Sequence, residues 1–112
     1  MNNARFEACD VTTLDLRDEF GLITAFDAIH DLPQPDRVLA AVAGALAPDG
    51  IFLMVDWGAS SHVHENFELP IGPFLYTMSC MHCVPVSMGQ NGPGLGAMWG
   101  EQTACRMLAD AG

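Results

Sequence analysis

"LITAFDAIHDLPQPDRVLAAVAGALAPDGIFLMVD", Leu22 to Asp56, decides how this chain folds. It opens with Leu22–Phe26, a nearly continuous apolar run that suits a strand covered on both faces of a parallel sheet. Pro33 and Pro35 then break the chain. Pro35 fits the first position of a helix, and Asp36 follows where the positive end of the helix dipole favours an acid. From Asp36 to Leu46, residues Val38, Leu39, Val42 and Leu46 recur at helical spacing as one apolar stripe. Pro48-Asp49-Gly50 stops the helix with a turn. Ile51–Val55 is a second buried strand, ending at Asp56. Strand, helix, turn and strand within about 35 residues make a βαβ unit, with parallel strands and a right-handed crossover. The fold class is α/β.

The flanks are weaker in pattern. Upstream, "RFEAC" (Arg5–Cys9), bounded by Asp10, reads as another strand, and "DVTTLDLRDEF" as a loop with one helical turn. Downstream, "WGASSHVHENFELP" is a polar loop. "FLYTMSCMHCV" reads as a buried helix carrying Phe74, Leu75, Met78 and Met81. "SMGQNGPGLGAMWG" is too rich in glycine to be regular, and "EQTACRMLADAG" closes the chain as a helix with Ala104, Leu108 and Ala111 on one face. No internal repeat is visible.

Composition bounds the function. The 112 residues make at most one domain, and half of them are hydrophobic, enough for a real core. Fourteen acidic residues against four Lys and Arg give a formal net charge of -10. Nucleic-acid binding depends on basic side chains neutralising phosphates, so direct contact with nucleic acid is not expected. Anionic membrane surfaces are disfavoured for the same reason, and no run approaches the ~20 apolar residues that span a bilayer. "MNNARFEACD" has no basic stretch followed by an apolar one, so it is not a signal peptide. Four cysteines in such a chain suggest reduced thiols and a cytoplasmic location. A small-molecule ligand, especially one with positive charge, fits the balance. A homodimer is left open.

Ligands of parallel sheets bind off the carboxyl ends of the strands, and Asp27, His30 and Asp31 follow the first strand directly. A short helical turn would put Asp27 and His30 on one side. His30, whose charge changes near neutral pH, could then be a general base or a substrate contact. Equally, a His–Asp pair there could simply hold the loop. Cys80 and Cys83 form a Cys-x-x-Cys with His62 and His64 upstream, but no second such pair stands at zinc-finger spacing, and no metal is expected. "HENFE" has Glu68 where a zinc protease has its second His. "GPGLGAMWG" fails as a dinucleotide fingerprint because Trp99 takes the third glycine's place. A flexible lid suits it better, with Tyr76, Met98 and Trp99 lining an apolar acceptor pocket; core packing is the alternative for each.

The stretch "FGLITAFDAIHDLPQPDRVLAAVAGALAPDGIFLMVD" resembles the middle of a class I S-adenosylmethionine-dependent methyltransferase, whose Rossmann-like fold it would represent in part. That family has a strand ending in a cofactor-contacting segment, a helix, a Leu-x-Pro-Gly-Gly-like turn and a strand ending in an acid. Here the turn is Leu46-Ala47-Pro48-Asp49-Gly50, with Asp at the usual first Gly. "FEACDVTTLD" resembles the preceding strand and its Gly-Asp-Ala-type end, with Cys9 in the Gly position. The segment from Ser60 to Gly112 resembles a bacterial branch that carries a winged-helix-like region before the methyltransferase domain.

The resemblance implies S-adenosyl-L-methionine as cofactor. Asp10 would accept a hydrogen bond from the adenine amino group and Val11 would lie against the ring, while Ala25 and Phe26 would border the ribose and methionyl end. His30 and Asp27, read from their spacing after the strand, are then the candidate catalytic residues, and a small molecule is the expected methyl acceptor, although the resemblance is unspecific for substrate. The family's Gly-rich loop and the acid after its second strand should lie upstream of Arg5, and further strands beyond Gly112. Residues 1–112 are therefore expected to be part of a single catalytic domain, a fragment lacking first and last strands and inactive on its own. Two other functions stand beside methyl transfer: a non-catalytic, ligand-sensing part of a transcriptional regulator, and a Cys/His metal-binding module.

Overall fold

The computed structural model describes residues 3–112. Its centre is a two-stranded parallel sheet, β1 (Phe20–Phe26) and β2 (Leu46–Val55), joined by helix α1 (Pro35–Ala45). The βαβ unit read from the sequence is present with its strands parallel. Leu22 pairs with Ile51, Ala25 with Met54 and Phe26 with Val55. Pro35 occupies the first turn of α1 with Asp36 beside it. Pro35, Val38, Leu39 and Ala45 form the buried stripe, so the helix is held by what it packs on.

The Pro48-Asp49-Gly50 turn is absorbed into β2 as an irregularity, because Phe20 pairs with Leu46 while Leu22 already pairs with Ile51. Gly50 makes this tight passage feasible. A Cβ there would sit 2.8 Å from the Phe20 carbonyl oxygen and 2.9 Å from that of Ala47.

The pleat sorts the strands' side chains. Ala25, Phe52 and Met54 face a core of Ile29, Val38, Leu39 and Trp99, which is closed by Ala104, Met107, Leu108 and Ala111 of helix α4 (Glu101–Ala111). The other face, with Leu22, Phe26, Ile51, Leu53 and Val55, is exposed. The expectation of strands covered on both faces therefore holds for one face only.

Residues 72–88 run as one helical stretch: α2 (Gly72–Met78), a π-helical turn (Ser79–Cys83) and α3 (Val84–Met88). Its buried face is Leu75, Ser79, Cys83 and Ser87, one residue every fourth position. Of the residues expected inside, only Leu75 is; Phe74, Met78 and Met81 are exposed. The reason is steric. Small Ser and Cys side chains let this helix approach closely, and the hydroxyl of the fully buried Ser87 donates to the Leu32 carbonyl at 3.1 Å and accepts from the Gly94 N–H at 3.2 Å.

Two further expectations are overturned. Arg5–Cys9 is not a strand: it is exposed throughout and pairs with neither β1 nor β2, and an apolar run without a partner edge gains nothing from extending. The glycine-rich segment is no lid, since Gly96, Ala97, Met98, Trp99 and Gly100 are buried. Gly100, at φ 80°, lies so close to residues 60 and 61 that a Cβ would be 2.1 Å from the Ser61 nitrogen. It also cannot cap α4. Ser61 does so from elsewhere in the chain, its hydroxyl accepting the Thr103 N–H at 3.0 Å. The Glu101 N–H reaches the Ala59 carbonyl at 2.9 Å.

Candidate active site at the strand tips

The parallel pairing of Phe26 with Val55 brings the residues that follow the two strands together, and the Asp27 N–H continues the ladder to the Val55 carbonyl at 2.8 Å. Asp27 has a left-handed backbone, φ 49°, a conformation that Asp tolerates better than most residues. It turns the chain out of β1 into a 3-10 turn over Ile29–Asp31. That turn drives the His30 ring inward, to 2 % exposure, beneath the strand tips.

Three carboxylates surround the ring. Its Nδ1 donates to both oxygens of Asp56, at 3.1 and 3.0 Å, and Asp56 also accepts the Trp57 N–H at 2.8 Å. Its Nε2 stands 3.3 Å from Asp31 Oδ1 and 3.9 Å from Asp27 Oδ1. Burial lowers the ring's pKa, but the hydrogen bond and charge of Asp56, with the charges of Asp31 and Asp27, outweigh it and hold the pKa above 6.5. Asp56 is itself buried, at 8 % side-chain exposure, whereas Asp27 opens to solvent. The ring therefore ties the tip of β2 to the start of the β1–α1 connection.

Asp10 caps a 3-10 turn over Val11–Thr13, its Oδ1 accepting the Thr12 N–H at 2.9 Å and the Thr12 hydroxyl at 2.7 Å. Both bonds lower its pKa from 3.8. Among the described residues its other oxygen has no hydrogen-bond partner. Thr12 shares the wall of a shallow cavity of about 370 Å³ with Arg17 and with Arg37, Ala40 and Ala41 of α1, so this turn packs on α1. Val11 and Phe26 are exposed and Ala25 is half-buried.

A family model described as a methyltransferase domain matches residues 1–112. The chain belongs to this methyltransferase family. No curated protein matches it. No helix among the described residues of the methyltransferase is long and apolar enough to cross a membrane.

The residues expected to line an acceptor pocket separate. Trp99 lines a cavity of about 880 Å³ between α1, β2 and α4, together with Asp56, Trp57 and Glu101. Met98 and Tyr76 instead belong to a second core cluster with Ala59 and Leu75, and the Tyr76 oxygen accepts from Asn66 Nδ2 at 3.0 Å. The cysteine motif also divides, with Cys80 exposed and Cys83 buried, while His62 and His64 pair at the surface with ring centroids 5.9 Å apart.

Sequence reasoning did not pick out Asp56 as the partner of His30, nor Cys83 as a neighbour of Asp31. The strand register would have found the first, since an acid one residue past Val55 must lie beside the chain leaving Phe26. The four-residue spacing Leu75, Ser79, Cys83, Ser87 would have found the second.

Proposed function

We propose that this methyltransferase domain serves S-adenosylmethionine-dependent methyl transfer to a small-molecule acceptor, with the cofactor held by Asp10, Val11, Ala25 and Phe26. The carrying observation is the pair of parallel strands whose carboxyl tips end together, ringed by Asp27, His30 and Asp56. Ligands of open α/β sheets bind at such tips.

The residues fit the cofactor. Asp10 has an exposed carboxylate oxygen free to accept from an amino group. Val11 and Phe26 offer apolar surface to a flat ring, and a net charge of -10 suits a sulfonium cation. When bound, the cofactor supplies an electrophilic methyl group. The chain's own share is alignment. Holding nucleophile and electrophile in line, with water displaced, accounts for most of what such a transfer needs. His30 is buried between carboxylates, so it acts as a positioning residue that fixes the tips, and Asp27, on the solvent side, is left to meet the acceptor.

Backbone NMR of the 112-residue chain titrated with S-adenosylmethionine tests this reading. The expected shifts cluster at residues 10–13 and 25–27, and Asp10→Ala weakens the binding that they report. Unmoved resonances, or shifts confined to the opposite ends of the strands, would refute the proposal.

A further inference from the structure

Beneath the strand tips, the positioning residue His30 meets two further donor groups, Asp31 and Cys83, that have no role in methyl transfer. The donor atoms of His30, Asp31 and Cys83 lie within 4.8 Å of one another, and His30 and Cys83 are 2 % and 7 % exposed. We propose that His30 Nε2, Asp31 Oδ1 and Cys83 Sγ form a site for Zn²⁺ or a similarly borderline-soft divalent ion, with a fourth position open.

Four observations converge on it. First, Asp31 Oδ1 is buried yet has no hydrogen-bond partner among the described residues, a state that costs about 1–3 kcal/mol unless something satisfies it. It sits 3.3 Å from Nε2 without the alignment of a hydrogen bond. Two donor atoms at that separation can share one cation. In a tetrahedral site with bonds of ~2.0–2.1 Å, neighbouring N and O ligands stand about 3.3–3.4 Å apart. Second, Asp56 holds Nδ1 at 3.0 Å. A carboxylate on the far nitrogen is the usual support of a metal-bound imidazole, fixing its tautomer and direction.

Third, Cys83 is buried at 7 % exposure with its thiol beside the Asp31 carboxylate. A thiol that coordinates a divalent cation is deprotonated outright, the cation taking the place of its proton. Fourth, the cysteine lies at the end of the π-helical turn Ser79–Cys83. Turns of that kind recur where a helix must redirect a functional side chain.

The donor set selects the ion. One thiolate, one imidazole and one carboxylate suit Zn²⁺ or Co²⁺ and are foreign to Mg²⁺ and Ca²⁺, which prefer oxygen. The residues differ from the Cys80, His62 and His64 that the sequence motif suggests. Those three are exposed, and none contributes to the buried cluster. A bound ion would pin residues 72–88 to the β1–α1 connection, adding to the Ser87–Leu32 hydrogen bond.

The full chain, freed of metal by chelator, is titrated with Co²⁺ and then Zn²⁺. Expected are one ion per chain, a thiolate-to-cobalt charge-transfer band that Zn²⁺ abolishes, and a melting temperature that rises with loading. Cys83→Ser should remove the band. Asp31→Asn, at a partly exposed position that tolerates the change, should weaken Zn²⁺ binding by about tenfold or more, as should Asp56→Asn through the ring it supports. Cys80→Ser and the double change His62→Gln, His64→Gln should leave the band and the affinity as they were. A missing thiolate band overturns the proposal. So does a band lost with Cys80→Ser, or Zn²⁺ binding that is indifferent to Asp31→Asn and lost with the surface histidines.

Discussion

Removing the carboxylate of Asp56 should open the strand tips, and two substitutions there separate charge from shape. Asp56 holds the His30 ring, which is 2 % exposed, at 3.0 Å and the Trp57 N–H at 2.8 Å. Asp56→Ala leaves a buried imidazole N–H without its partner. Breaking one side of a buried ion pair costs about 3–5 kcal/mol, and the partial access through Asp27 places this site near the lower figure. Asp56→Asn keeps an oxygen that can accept from Nδ1 and loses only the charge. Exchanging a charge-assisted hydrogen bond for a neutral one costs about 1 kcal/mol.

Urea unfolding followed by circular dichroism, in chelator so that bound metal adds nothing, reads both. With m of roughly 1.5 kcal/mol/M for a chain of this size, the midpoint should fall by about 2 M for the alanine variant and about 0.7 M for the asparagine variant. Asp27→Asn, which keeps a residue that tolerates a left-handed backbone and stays in solvent, should move stability by less than about 0.5 kcal/mol. If Asp56→Ala unfolds at the same urea concentration as the parent, the His30–Asp56 pair does not hold the tips. The positioning role assigned to His30 then fails with it.

Gly100→Ala would drive a methyl group into the backbone at Ser60 and Ser61 from a left-handed conformation, so the chain should lose at least ~3 kcal/mol or fail to fold. Gly58→Ala, with nothing within 4 Å of the added Cβ, should shift the thermal midpoint only marginally. On the sheet, Ile51→Thr and Leu53→Thr on the bare face should each cost less than about 0.5 kcal/mol while lowering the fluorescence of a bound apolar dye. Leu39→Ala, fully buried in the core, should cost about 2–5 kcal/mol by urea unfolding. Asp10 should titrate below 3.8 in carbon-detected NMR, and Thr12→Val should bring it back up. Because the folded value is the lowered one, what Asp10 adds to stability is present above about pH 4 and disappears as the pH falls through its folded pKa.

The βαβ unit was legible because each of its signals is local: an apolar run, Pro at a helix start, a stripe at helical spacing, a Pro-Asp-Gly turn. The misread elements depend on what stands beside them. Arg5–Cys9 has strand composition and no neighbour to pair with. The outer residues of the 72–88 helix are large and apolar, so hydrophobicity alone pointed Phe74 and Met81 inward, although the close approach favours Ser79, Cys83 and Ser87. Gly94, Gly96 and Gly100 suggested flexibility, whereas their positive φ angles fold the chain tightly onto its own core. At the site, Asp27, His30 and Asp31 stood out as a run. Asp56, 26 residues from His30, and Cys83 needed the strand register and the helix face to join them.

Ser61, far upstream in the chain, closes the first turn of α4. Gly100 offers α4 no capping side chain, so the helix start is satisfied from the loop after β2. That hydroxyl and the Ala59 carbonyl, which takes the Glu101 N–H, make the start of α4 depend on the loop after β2. Deuterium uptake at the Thr103 amide should consequently track the slowest-opening amides of β2, rather than the quick breathing of an ordinary helix end.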